Sequence, residues 1–311
     1  ETKSDVDISH GSMTYLKSKK GDIVCLGYKV NAGDTKLWIP GEPLPEFMSE
    51  PGRYNYYAFN SQFDLRVWNI LGPKYDYPKL FLKQWVDVMA ICGRFTYHQS
   101  LAKAGDDLNL DIRKQKNGRA LMKKVNNGSA TETDMAEFYQ YCKVDVDTLY
   151  ELIWALPASM LSKREQSIWE MTARINHRGI PVDLAAAKQI LKVTEAYKIE
   201  QNQLLPDLTD GEVTKATQTQ RISKWLKSQG VAVENLQAAT VEKMLQQDNL
   251  SEKARAVLTL RQDLGKSSTA KYQKIIDLTY NGRVHDNLRY YGANTRRWAG
   301  MGFQLHNLPR S

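Results

Sequence analysis

Near residue 158 the patterning of the chain changes, and no single layered domain accommodates both textures. Residues 1 to 158 alternate strand-like and helix-like segments. Ile23–Val30 and Thr35–Ile39 flank the turn Asn31-Ala-Gly-Asp34 and read as a β-hairpin. Tyr56–Phe59 is apolar and strand-like. It runs into a segment with apolar residues at 63, 67, 70 and 71, which is one face of a helix. Trp85–Ile91 reads as a further short buried segment. This alternation predicts an α/β architecture, a mixed sheet flanked by helices. From 159 to 286 the texture is helical, with polar-rich segments at 184–205, 216–229, 239–247 and 251–278 punctuated by Pro206, Gly211 and Gly230. Trp169–Asp183, between the halves, has a helix-to-turn-to-extended pattern. A length of 311 residues also favours two domains over one.

Composition narrows the classes. With 42% hydrophobic and 25% charged residues, the chain suits a soluble globular protein. Cys25, Cys92 and Cys142 show no paired spacing, which argues against a zinc site and fits a reducing, cytoplasmic compartment. No apolar run approaches the ~18 residues of a membrane span, so no membrane partner is expected. The opening Glu-Thr-Lys-Ser-Asp-Val-Asp has neither Met nor a signal-peptide pattern. A net charge of +8 favours a polyanionic partner, of which nucleic acid is the usual one. Residues 287–311 carry Arg289, Arg296, Arg297 and Arg310 with no acid, and Trp298 lies among them. Arginines beside an aromatic reach phosphates and stack on bases.

The strongest chemical signal is Tyr141 with Asp145. The surrounding run reads as a helix, with Asp134 and Glu137 as capping pair and apolar positions at 138, 142, 149, 152 and 153. Residues four apart share a helix face, so one turn presents a phenol and a carboxylate to the same point. A carboxylate holds a hard divalent metal and a phenol orients water, which together suggest metal-assisted hydrolysis. An amphipathic helix with two solvated polar groups is the plainer alternative. Asp64 follows a strand-like run and opens a helix. Glu1 stands at the chain start, with Asp5 and Asp7 close behind. Acids from a first strand, a strand–helix junction and a late helix can converge on two divalent ions roughly 3.5–4 Å apart, which clamp the attacking and leaving oxygens of a phosphodiester.

These residues resemble known motifs. Asn60-Ser-Gln-Phe-Asp64 looks like the second motif of the DEDD, or DnaQ-like, 3′–5′ exonucleases, and Tyr141-Cys-Lys-Val-Asp145 like the Tyr-containing third motif. The first motif is Asp-x-Glu. Glu1-Thr2 matches its Glu, and the partner Asp would stand two residues earlier; Asp5-Val-Asp7 is the alternative occupant. Thr295–Arg310 is similar to the first polymerase motif of family A DNA polymerases in bacteriophage form. Ile175–Asp183 looks like the opening of that family's polymerase domain, and Gln262–Tyr272 like its thumb. The resemblance covers essentially the whole chain. It implies an RNase H-like mixed-sheet exonuclease at 1–158, the start of the polymerase domain and a helical thumb at 159–286, and the first polymerase motif at the palm edge at 287–311.

The same resemblance implies roles. Glu1, Asp64 and Asp145 would hold Mg²⁺ or Mn²⁺, and Tyr141 would orient the attacking water. A phenol with an unperturbed pKa near ~10 is a poor base near neutrality. Asn60 and Phe63 would line the cleft for a single-stranded 3′ end, or serve the fold alone. Arg297 would contact the primer-template duplex, supported by Gln304 and Asn307. Lys266 and Lys271 would lie against phosphates, or on a plain solvated face. Two departures stand out: Arg296 replaces the motif's usual Gly, and the Gln304-Leu-His-Asn307 spacing is altered. The family's later motifs, which use dNTPs, normally follow the point where this chain stops. The implied protein is therefore the N-terminal portion of a phage replicative polymerase, working with other replication proteins. A free-standing exonuclease and a catalytically degenerate DNA-binding module are the alternatives.

Overall fold

The computed structural model describes residues 1–111, 118–157, 161–265 and 268–307. Its contacts divide the chain into one unit of Glu1–Val182 with Asp277–Asn307, and a second of Asp183–Ile276. The first unit thus runs past residue 158 and takes in 277–307.

In the first unit, β1 (Thr2–Lys3) pairs antiparallel with β2 (Asp22–Ile23), with α1 (Ser12–Leu16) between them. The expected hairpin forms, but its ladder is confined to β3 (Leu26–Tyr28) and β4 (Lys36–Trp38). The chain leaves the ladder early because Asn31 turns left-handed and Gly33 N–H bonds back to the Val30 carbonyl at 3.1 Å. β5 (Tyr56–Ala58) leads into α2 (Ser61–Ile70) and pairs in parallel with β6 (Trp85–Asp87), with Ala58 opposite Asp87. Trp85–Ile91 is buried as expected but is two elements: its strand ends at Asp87, whose carboxylate accepts from Met89 N–H and starts α3 (Val88–Arg94). Parallel and antiparallel ladders both occur. Among the described residues they remain separate pieces of two or three residues, not one continuous mixed sheet, because the strands pass so soon into helices.

Helices α4 (Leu101–Asp107), α5 (Gly118–Asn127), α6 (Glu132–Ala155) and α7 (Lys163–Arg178) follow. The capping pair of α6 lies one turn before the expected one. Thr131 Oγ1 accepts from Asp134 N–H at 3.2 Å, while Asp134 Oδ2 accepts from Thr131 N–H at 3.0 Å. A hydroxyl followed three residues later by an acid satisfies both donors, so Asp134 is the third helical residue and Glu137 is not in the box. The buried stripe of α6 is Phe138, Tyr141, Cys142, Thr148 and Leu152. The unit's main core is aromatic. Trp169 is fully buried, Tyr56 stacks on Trp85 with centroids 5.4 Å apart, and Trp68 meets Tyr77 at 4.8 Å.

β7 (Ile180–Pro181) closes α7. In the second unit, the long expected helices are broken. Residues 184–205 form α8 (Leu184–Asn202) and the start of α9 (Leu204–Leu208), followed by α10 (Thr219–Ser228), α11 (Ala238–Leu245) and α12 (Glu252–Leu264). Ile222, Trp225 and Leu226 bury one face of α10 against Val241, Val257 and Leu258, while Arg221, Lys224 and Lys227 stay exposed. Helix α13 (Ser268–Leu278) leads back to the first unit. There β8 (Thr279–Tyr280) and β7 flank β9 (Arg283–Val284), and β10 (Leu288–Arg289) pairs with β11 (Ala299–Gly300). Among the described residues, no helix is long and apolar enough to cross a membrane.

Candidate active site

Three elements of the first unit carry the acidic residues. Glu1 extends the β1–β2 pairing: its carbonyl accepts from Val24 N–H at 2.9 Å and its backbone nitrogen donates to the Cys25 carbonyl at 2.7 Å. Asp64 lies in the first turn of α2. That helix can follow β5 directly because Asn60 takes a left-handed conformation (φ 70°, ψ 51°), which Asn tolerates. Tyr141 and Asp145 lie one turn apart on α6, and the buried phenol is hydrogen-bonded to the Asp145 carboxylate.

The charges of these groups are coupled. Burial pushes the Asp64 carboxyl up to about 7, and the Glu1 and Asp87 carboxylates add to the rise. Burial, then the negative charges of Asp145 and Glu1, hold the Tyr141 phenol well above its ordinary value. Glu1 thus feels both Asp64 and Tyr141, and Tyr141 feels Asp145. Among the described residues, no three His, Cys, Asp or Glu side chains are drawn close enough to form a ready ligand shell. The donor set is nonetheless hard oxygen, the ligand type that divalent cations such as Mg²⁺ take.

The other expected residues are less concentrated. Phe63 packs against Tyr15, with centroids 6.4 Å apart, and Asn60 serves the α2 turn. Asp5 and Asp7 are exposed and bonded to nearby backbone, Asp5 accepting from Lys20 N–H across 15 residues and Asp7 from Ser9 N–H in its own turn. Arg296 has φ 59°, the left-handed conformation that the usual Gly of the motif adopts at no steric cost. The exposed Arg297 bonds within its own turn, Nε to Thr295 Oγ1 at 3.0 Å, while Asn307 donates to Gln304 Oε1 at 2.7 Å. The half-exposed Trp298 donates to Thr172 Oγ1 at 3.0 Å. Lys271 is half-buried on α13 of the helical unit; Lys266 and Arg310 lie outside the described residues.

Sequence reasoning missed Asp87. It is 1% exposed and accepts from Asn60 N–H and Met89 N–H, both at 3.1 Å, and from Trp169 Nε1–H at 3.0 Å. Burial outweighs these bonds and pushes its carboxyl up to about 6. An Asp ending an apolar run before helical residues was the available signal. The buried Cys25 and Cys142, with sulfurs 3.5 Å apart, were also read only as scattered thiols.

No protein-family model matches the chain. A DNA polymerase of Bacillus phage SP02 is 28% identical over 221 residues, which are 66% of this chain and 34% of that protein. Among solved structures, the POL domain of Pol1 from M. smegmatis, in complex with DNA primer-template and dNTP, matches with a TM-score of 0.59 at 14% identity, covering 93% of this chain and 50% of that one. At that identity the match speaks for the fold alone. The chain spans about a third of the phage protein's length and half of the solved chain's. The resemblance carried by the motifs is thus met in sequence by a phage DNA polymerase and in fold by a family A polymerase domain.

Proposed function

We propose that the chain is the N-terminal portion of a phage-type family A DNA polymerase, and that residues 1–158 form an RNase H-like 3′–5′ exonuclease that proofreads during DNA replication. Residues 159–286 then begin the polymerase domain and its thumb, and 287–311 form the first polymerase motif. The observation that carries the reading is the Tyr141–Asp145 pair on one turn of α6, in the same unit as Glu1 beside β1 and Asp64 in the first turn of α2. Motif order and the phage polymerase relative support it.

In this reading Glu1, Asp64 and Asp145 hold divalent cations, Mg²⁺ or Mn²⁺. When bound, such ions make water a nucleophile at neutral pH and stabilise charge on the phosphodiester. The chain's own groups divide the remaining work. The Tyr141 hydroxyl keeps its proton at neutral pH, bonds to Asp145 and orients water instead of taking its proton. Asn60 and Phe63 line the path of an unpaired 3′ end, whose bases stack on apolar or aromatic side chains. Arg297, Gln304 and Asn307 approach the primer-template, and Lys266 and Lys271 its phosphates. Nucleotidyl transfer from dNTPs belongs to family motifs not contained in residues 1–311, and the setting is the host cytoplasm, with other replication proteins as partners.

The test is removal of 3′ nucleotides from an end-labelled single strand in Mg²⁺ or Mn²⁺. EDTA and Asp64→Ala each abolish it. Undiminished resection by Asp64→Ala would sink the site assignment, and a wild-type chain that binds the strand without shortening it would favour a DNA-binding module.

A further inference from the structure

Gly118 opens α5 and is buried against the Tyr141 ring. A methyl group in place of its hydrogen would stand 2.4 Å from Cε2, 2.5 Å from Cζ and 2.9 Å from the hydroxyl oxygen of that phenol. Real side chains do not approach so closely, so one partner must move.

Helix α5 is held along its length. Leu121 is buried in the cluster that contains Phe138, Tyr141 and Cys142. Asn126 Oδ1 accepts from Ser4 N–H at 3.2 Å, and Lys124 Nζ bonds Asp134 Oδ1 at 2.6 Å. The ring has little room to retreat, because Phe138 stacks beside it at 6.3 Å and 24°. The ring can yield only by turning about its side-chain torsions, and that turn carries the hydroxyl away from Asp145. We infer that Gly118 is a positioning residue of the proposed nuclease site: its missing side chain is the space that sets the Tyr141 hydroxyl against Asp145. The inference rests on the exonuclease reading, and it acts through Tyr141, not through contact with DNA.

The experiment uses residues 1–311 and two readouts. The first is the single-turnover rate of 3′ nucleotide removal from a labelled single strand in Mg²⁺. Gly118→Ala is expected to slow it roughly 10- to 100-fold at saturating DNA, as displacements up to about 1 Å do in positioned sites, with KM little changed. In a Tyr141→Phe background the same substitution adds no further loss. The second readout is fluorine NMR of protein carrying 3-fluorotyrosine, with the Tyr141 resonance assigned by Tyr141→Phe; Gly118→Ala moves that resonance and leaves those of the second unit in place. An unchanged rate in Gly118→Ala overturns the inference, as does an equal loss with and without the Tyr141 hydroxyl. If Gly118→Ala does not fold, Tyr141→Phe alone decides, since excision at the wild-type rate without the hydroxyl also overturns it. A moved resonance in a chain whose wild type removes no nucleotides overturns the exonuclease reading, and the positioning role with it.

Discussion

Replacing Asp87 tests the physical account of the first unit most severely. Its carboxylate gathers Asn60 N–H, Met89 N–H and Trp169 Nε1–H, and so joins the starts of α2 and α3 to the core of α7. Asp87→Ala leaves these buried donors unpaired, at ~1–3 kcal/mol each. Part of that loss is returned at neutral pH, because the carboxylate is itself disfavoured. Its pKa rises from the 3.8 of a free aspartate to about 6. At ~1.4 kcal/mol per pH unit, the folded state loses about 3 kcal/mol when the group ionises. The sign follows from the direction of the rise. The folded state holds the proton more tightly, so this contribution is complete below 3.8 and is lost as the pH climbs through 6. Roughly half of it, about 1.5 kcal/mol, falls between pH 5 and 7.5. Asp87→Ala is therefore expected to cost about 3 kcal/mol at pH 7.5 and about 1.5 kcal/mol more at pH 5. Urea unfolding followed by tryptophan fluorescence measures this, since six of the seven tryptophans lie in the same unit as Asp87. Asp64 also titrates in this range, but it is present in both proteins, and only its coupling to Asp87 enters the difference. A cost below about 1 kcal/mol at pH 7.5, or an equal cost at both pH values, refutes the reasoning.

Three further outcomes are expected. Asp64 takes up a proton near pH 7 without a cation, so Mn²⁺ affinity should fall as the pH drops from 8 to 6, by up to ~10-fold per pH unit below 7; titration calorimetry giving the same affinity throughout contradicts this. Arg66 is 5% exposed and bonds both Ser12 Oγ and Asp286 Oδ2, whereas Asp286 is a third exposed, so Arg66→Ala should destabilise the first unit by roughly 2–3 kcal/mol in urea melts, below the full cost of a dry ion pair. Arg296→Gly should gain about 0.5–1 kcal/mol, because the left-handed backbone costs an L-residue with a Cβ more than Gly loses in entropy, and an unchanged melting midpoint argues against strain at that turn.

What could be read from the pattern, and what could not, divides by sequence distance. Part of the α6 face follows from spacings of three and four, with Phe138, Cys142 and Leu152 buried as expected, whereas α2 buries Ser61, Arg66 and Trp68 most deeply and leaves Phe63, Val67 and Ile70 half-buried. The Tyr141–Asp145 pair was legible for the same reason, and the positive φ of Arg296 falls where the motif's Gly had already marked a demanding backbone. The sheet was less legible, since a ladder is a contact between distant segments and nothing in Tyr56–Phe59 states how soon it will end. Asp87 is harder still: its partner Trp169 lies 82 positions away, and no spacing announces a bond of that range. The acids show the limit most clearly. Their grouping was inferred from motif order, but the charge state of each depends on burial and on the others. Nothing in the sequence states the charge of Asp64; burial, with the Glu1 and Asp87 carboxylates adding to it, pushes its carboxyl up to about 7. A chemistry that needs clustered negative charge therefore has to be supported by packing that lies outside the motifs. Gly118 and Asp87 belong to none of the motifs: the one leaves room for the phenol, and the other accepts from Asn60 N–H at the turn before Asp64.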